Sequence, residues 1–113
     1  MTHWLPFTKE NLKSVPPQII GVFQLSKDGE TIHYVGRADD NLHDKIAMFE
    51  GKGYTHFQWV KLPWVKETYE MQCRLFHYAG GTEKLDNRDH PEPPEGKSWL
   101  CQVSVQPSAM CSL

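Results

Sequence analysis

Two β-rich runs on either side of an Asp-Gly pair restrict the fold of this chain more than any other feature. The first run covers residues 18–25 and the second covers residues 31–36. Both are rich in Val, Ile, Phe and Tyr, which favour strands. Because Gly tolerates positive φ and Asp hydrogen-bonds nearby backbone, Asp28-Gly29 predicts a turn. The sequence therefore predicts an antiparallel hairpin.

A short helix and a third strand are predicted after the hairpin. Leu42, Ile46 and Phe49 recur at helical spacing, which indicates an amphipathic helix over residues 41–49. Residues 56–62 alternate and are bulky, as in a strand, and a proline follows them directly.

A longer helix is predicted over residues 64–78. One face of this segment would carry Val65, Tyr69, Cys73 and Phe76. The pair Gly80-Gly81 is typical of a helix end. Together the segments give the order β-β-α-β-α, which predicts an α+β fold with a small, largely antiparallel three-stranded sheet flanked by helices.

Shorter segments are predicted before and after the α+β domain. We expect residues 1–16 to form an N-terminal packing arm, in which Thr8 caps a short helix. Residues 17–94 form the predicted domain. Residues 95–113 are expected to give a C-terminal edge strand, over residues 99–105, and a tail.

Composition limits the partners and the location. Twelve Lys and Arg against fourteen Asp and Glu give a formal charge of −2, so no bulk positive field draws the chain to nucleic acid or an anionic membrane. No stretch has the length and apolarity of a membrane span, and the first residues do not resemble a signal peptide. Three cysteines without a CxxC pair favour a reducing compartment. We therefore predict a soluble, cytoplasmic protein with no membrane partner.

The two predicted hairpin strands carry a pair of related tripeptides. Gly21-Val22-Phe23 and Tyr34-Val35-Gly36, with Arg37 after the second, resemble the paired motif of the GIY-YIG endonucleases over about residues 17–94. The resemblance implies DNA cleavage with Mg²⁺ or Mn²⁺. In that family the motif tyrosines lie at the reacting phosphate, an arginine of the first helix contacts it, a glutamate of the second helix holds the metal, and an asparagine shapes the site.

The resemblance selects six candidate site residues in this chain, which are Phe23, Tyr34, Arg37, Lys45, Gln72 and Asn87. Tyr34 and Asn87 match the family pattern. Phe23 keeps the ring of the first tyrosine but lacks its hydroxyl. Lys45, aligned with one inserted residue, keeps the charge of the arginine but not its planar, two-pronged donor geometry. Gln72 stands where the family has its metal-binding glutamate.

Gln72 is the decisive departure from the family pattern. Mg²⁺ is a hard cation that prefers carboxylate oxygen, so a neutral amide implies a weak or lost metal site. Helical spacing puts Glu67 and Glu70 on the opposite side of the helix, where neither can replace it. A Gln in an apolar arc is either hydrogen-bonded in the core or lines a cleft. The resemblance therefore implies impaired or lost phosphodiesterase activity, with nucleic-acid binding retained in the old cleft.

Two other functions stay open. The chain is an active metal-dependent endonuclease if the substitutions are compensated elsewhere, or if Gln72 is an engineered substitution. Alternatively, the chain is a protein-interaction module without nucleic-acid contact, which the acidic net charge favours.

A zinc site is a further alternative. Cys73 and His77 lie one predicted helical turn apart, but a structural zinc site needs four ligands, and His90 and Cys101 would have to come from the loop and tail. A buried cysteine and a half-exposed histidine are the simpler interpretation.

Overall fold

The computed structural model describes residues 3–99. Its elements, in chain order, are β1 (Leu5–Pro6), α1 (Lys9–Leu12), β2 (Gly21–Ser26), β3 (Tyr34–Ala38), α2 (Leu42–Ala47), β4 (His56–Lys61), α3 (Val65–Tyr78) and a 3₁₀ turn (Gly81–Glu83). The predicted α+β fold and its β-β-α-β-α order are confirmed. The C-terminal edge strand, predicted over residues 99–105, lies outside the described residues except for Trp99.

All strand pairs in the sheet are antiparallel, in the order β1-β4-β2-β3. The count of four strands differs from the three predicted, because the N-terminal arm adds one. Leu5 pairs with Phe57 and Pro6 with His56. A two-residue strand has no readable period, and Pro argues against a strand, so pattern alone could not reveal it. The predicted cap is confirmed, since Thr8 Oγ1 accepts a hydrogen bond from the Asn11 amide at 3.1 Å.

The hairpin connection is longer than a tight Asp-Gly turn, and β3 begins at Tyr34 instead of residue 31. Asp28 Oδ1 accepts backbone hydrogen bonds from Glu30 and Thr31, both at 2.8 Å, and these bonds lower the pKa of the Asp28 carboxyl well below its ordinary value. Ser26 Oγ accepts from Gly29 N at 2.8 Å. These side-chain bonds hold the connecting segment as an ordered loop between the strands.

Helices cover both faces of the sheet. On one face, Phe23 and Leu25 pack with Leu42 and Ile46 of α2, and all four are fully buried. On the other face, Val22 and Val35 form a cluster with residues including Phe76 of α3. The edge strand β3 therefore lies between the two layers, and side chains from both can meet beside it.

The glycines of the two motif tripeptides lie at close approaches. A Cβ at Gly21 would overlap the carbonyl oxygen of Val60 on the neighbouring β4. A Cβ at Gly36 would overlap the ring of Phe23, which is its partner across the β2–β3 pairing. Neither position has room for a side chain.

Candidate functional site

A cleft of about 560 Å³ opens beside β3. We call it the β3-edge cleft, and its lining residues are Tyr34, Phe49, Lys52, Tyr54, Gln72 and the segment 86–91. Three of the six residues selected by the GIY-YIG resemblance line it, which are Tyr34, Gln72 and Asn87. They come from a strand, from α3 and from the segment after α3, so only the tertiary fold brings them together.

Aromatic rings form one wall of the β3-edge cleft. The Tyr34 ring centroid lies 4.7 Å from that of Phe49 and 6.4 Å from that of Tyr54. Burial raises the pKa of the Tyr34 hydroxyl, so this group is a protonated hydrogen-bond donor at neutral pH. Phe23 lies at a centroid distance of 6.1 Å from Tyr34 and is fully buried. Its ring supports Tyr34 from the core and is not part of the cleft lining.

Gln72 is bonded on both sides of its amide. Its Oε1 accepts a hydrogen bond from Arg37 Nη1 at 2.8 Å, and its Nε2 donates to the carbonyl oxygen of Val35 at 3.4 Å. Arg37 Nε donates to Asp39 Oδ1 at 3.0 Å, and the guanidinium lies 5.3 Å from the Tyr69 ring centroid. The sequence left two alternatives for Gln72, a hydrogen-bonded core residue or a residue that lines a cleft. In the structure both apply, because the buried amide has hydrogen-bond partners and also lines the cleft.

Asn87 closes the outer edge of β3. Its Oδ1 accepts from Val35 N at 3.0 Å, and its Nδ2 donates to Val35 O at 2.7 Å. Next to it, Asp86 N donates to the carbonyl oxygen of His33 at 2.6 Å. Residues 86–87 thus pair with the edge strand as a neighbouring strand would, with the Asn amide in place of a peptide group.

Two residues of the cleft lining, Tyr54 and Asp86, form a tyrosine–carboxylate–lysine chain with Lys27. Tyr54 Oη donates to Asp86 Oδ2 at 2.8 Å, and Lys27 Nζ lies 3.0 Å from the same oxygen. Burial, and then the bond to Asp86, raises the pKa of the Tyr54 hydroxyl. Although burial alone raises it, the pKa of Asp86 is held below its ordinary value by the bonds from Lys27 and Tyr54. Asp86 is therefore ionised, and Lys27 offsets its charge.

The other two selected residues are placed differently. Lys45 is exposed on α2 and does not line the cleft. Arg37 is not in the lining and reaches it only through its bond to Gln72. Sequence reasoning missed Lys52 and Arg88, the two cations of the lining. The glycines that flank Lys52 indicate an exposed turn, but no sequence pattern connects that turn with Arg88.

A divalent cation does not fit at Gln72. The only oxygen that the side chain offers already accepts from a guanidinium, so the ion would have to lie beside a positive charge. As predicted, Glu67 is exposed while Gln72 is buried on the inner face of α3. Across residues 3–99, three or more His, Cys, Asp and Glu side chains do not come together in a metal-binding arrangement.

Comparison with protein-family models, curated proteins and solved structures gave no match. In the same described part of the chain, none of the helices has the length and apolarity needed to cross a membrane.

Proposed function

We propose that this chain is a GIY-YIG-type domain that no longer hydrolyses phosphodiesters and acts by binding a partner at the β3-edge cleft. The pairing of the two motif strands supports the family part of this proposal, because Phe23 lies opposite Gly36 on adjacent antiparallel strands. The convergence of Tyr34, Gln72 and Asn87 on one cleft supports it further.

One observation carries the loss of hydrolysis, namely the hydrogen bond of 2.8 Å between Arg37 Nη1 and Gln72 Oε1. Phosphodiester hydrolysis needs an oriented water and positive charge at the phosphate, which a bound metal ion supplies. Here the oxygen that would hold such an ion is neutral and already engaged. The first motif position, Phe23, has no hydroxyl and is fully buried, so it cannot orient a water either.

We expect the wild-type chain to leave supercoiled plasmid and branched DNA uncut with either Mg²⁺ or Mn²⁺. Metal-dependent nicking should appear only in variants that carry Gln72→Glu, because a carboxylate restores a ligand for a hard cation. Gel assays of nicking over time make this comparison directly.

Glu70→Gln, which removes a carboxylate elsewhere on the same helix, is the matched control. Strong cleavage by the wild-type chain would contradict the proposal. If that cleavage were also lost in Glu70→Gln, the chain would be an endonuclease with a relocated carboxylate.

A nucleic acid is the partner that the family resemblance puts first, and the cleft predicts how it would bind. Lys52 and Arg88 provide two cations, whereas Asp86 and Asp89 line the same cleft with two carboxylates. We therefore expect weak binding to single-stranded DNA, with a slope of log K against log salt of about −1.4 for two phosphate contacts.

Fluorescence anisotropy with a labelled oligonucleotide measures this slope. Lys52→Ala and Arg88→Ala should each reduce it, whereas Lys61→Ala, at the end of β4 and outside the cleft lining, should not. If DNA does not bind even at low salt, the protein-interaction alternative replaces the nucleic-acid proposal.

The cytoplasmic location stays a prediction from the cysteine pattern.

A further inference from the structure

The lining of the β3-edge cleft contains charges of both signs. Lys52 and Arg88 provide two cations, and Asp86 and Asp89 provide two carboxylates. In a groove that recognised only the phosphates of a strand, the cations would strengthen binding and the carboxylates would weaken it, because phosphate and carboxylate repel each other. The carboxylates therefore fit a ligand that offers hydrogen-bond donors beside its phosphates.

Asp89 is the carboxylate that is available to such a ligand. The charge of Asp86 is offset by Lys27, and the oxygen that Lys27 approaches also accepts a hydrogen bond from the Tyr54 hydroxyl. In the described part of the chain, by contrast, the side chain of Asp89 forms neither a hydrogen bond nor an ion pair, although Arg88 precedes it. Asp89 is exposed, so a ligand in the cleft can approach its carboxylate.

The donor that an available carboxylate selects depends on the sugar. An ionised carboxylate only accepts hydrogen bonds, so its partner in a nucleic acid has to be a donor. The phosphate and ring oxygens of a DNA strand only accept. Ribose adds a 2′-hydroxyl, which donates as well as accepts and allows a protein to distinguish RNA from DNA. A carboxylate beside two phosphate-binding cations therefore fits a ribose backbone better than a deoxyribose backbone.

The aromatic wall of the cleft suits unpaired bases. The ring centroids of Tyr34, Phe49 and Tyr54 lie 4.7 to 6.4 Å from one another. Proteins that recognise single-stranded RNA commonly stack its bases on such rings. The cleft volume of about 560 Å³ lies within the range of about 300 to 1,000 Å³ that is typical of small-ligand pockets. The cleft therefore has the size for one or two unpaired nucleotides.

We propose that the β3-edge cleft binds single-stranded RNA in preference to single-stranded DNA, with Asp89 accepting a hydrogen bond from a ribose 2′-hydroxyl. Lys52 and Arg88 contact the adjoining phosphates, and the aromatic wall receives the bases. This inference rests on the proposed nucleic-acid binding and adds to it the kind of sugar that is recognised. Asp86 is secondary, because Lys27 already offsets its charge.

The test compares three labelled oligonucleotides of equal length, which are oligo(U), oligo(dU) and 2′-O-methyl oligo(U). Their bases and phosphates are the same, so they differ only at the 2′ position. Fluorescence anisotropy with the full chain should show oligo(U) bound roughly tenfold more tightly than oligo(dU), as expected for one hydrogen bond to a charged group. The 2′-O-methyl strand lacks the donor and should bind no better than oligo(dU). The salt slopes should be equal, because the phosphate contacts do not change.

Asp89→Ala removes the proposed acceptor. In this variant we expect oligo(U) binding to fall to the level of oligo(dU), whereas oligo(dU) binding stays the same or strengthens because a repulsive charge is lost. Loss of the charge alone would strengthen the binding of both strands, so a weakening confined to the ribose strand identifies the hydrogen bond. Glu67→Ala is the control, since it removes an exposed carboxylate of α3 outside the cleft lining and should keep the wild-type ratio.

Equal binding of oligo(U) and oligo(dU), or an unchanged ratio in Asp89→Ala, would overturn the RNA inference and leave the proposed nucleic-acid binding intact. Failure of all three strands to bind at low salt would overturn the nucleic-acid proposal together with this inference. Binding of the 2′-O-methyl strand as tightly as oligo(U) would overturn the role of Asp89, because that strand has no 2′ donor. This last comparison uses only the wild-type chain, so it decides even if Asp89→Ala fails to fold.

Discussion

Gly21→Ala is expected to destabilise the chain by about 3 kcal/mol or more, which lowers the Tm of a domain of this size by about 15 °C. The added methyl group would overlap the carbonyl oxygen of Val60, which belongs to the backbone of β4. A flexible side chain could move aside, but this oxygen is held within the β2–β4 pairing. Relief would therefore require the two central strands to separate locally.

Gly51→Ala is the matched control for this prediction. Gly51 has a φ of 75°, but the space around it is open. Its substitution therefore carries only the backbone cost of positive φ, about 1 kcal/mol. Thermal and urea unfolding of both variants measure the difference. A Gly21 variant as stable as the Gly51 variant would show that β2 and β4 are not as close as described.

Asn87→Ala is expected to cost about 2 to 4 kcal/mol, because it leaves two polar groups of one buried residue without their main partner. The Asn87 side chain bonds both the amide and the carbonyl of Val35, which is fully buried. The carbonyl keeps only the longer bond of 3.4 Å from Gln72.

Asn41→Ala, at the half-buried N-cap of α2, is the control with a single lost bond, and about 1 kcal/mol is expected there. Amide hydrogen exchange gives a local reading beside the unfolding curves. The Val35 amide should exchange much faster in Asn87→Ala and little faster in Asn41→Ala. Unchanged protection of Val35 in the Asn87 variant would mean that its amide is satisfied by another group.

The sequence predicted the parts of this fold that follow local periodicity. The α3 helix, predicted over residues 64–78, spans Val65–Tyr78, because its apolar residues repeat at helical spacing and glycines follow it. The start of β3 was predicted three residues too early, because Ser26 and Asp28 use side chains to order the loop. Such bonds depend on the folded geometry and leave no periodic pattern in the sequence.

The cleft was less predictable than the fold. Gln72 and Asn87 were selected by the resemblance, but their bonds to Arg37 and to the Val35 backbone involve residues 35 and 52 positions apart in the chain. Charges of opposite sign, such as those of Lys27 and Asp86, also meet only after folding. Residue spacing predicts only which side chains are neighbours within one helix or strand. It cannot predict which charged side chain elsewhere in the chain will offset the charge of a given residue.

The closure of β3 by side-chain and backbone groups of residues 86–87 also affects how copies of this chain behave toward one another. An uncovered strand edge is a template on which a second molecule can add its own strand, and repeated addition leads to fibrils. Here the template is masked by a short segment that bonds to His33 and Val35 and contains no regular strand of its own. Detachment of that segment would expose the backbone groups of His33 and Val35, and this edge of the sheet could then accept a strand from another molecule.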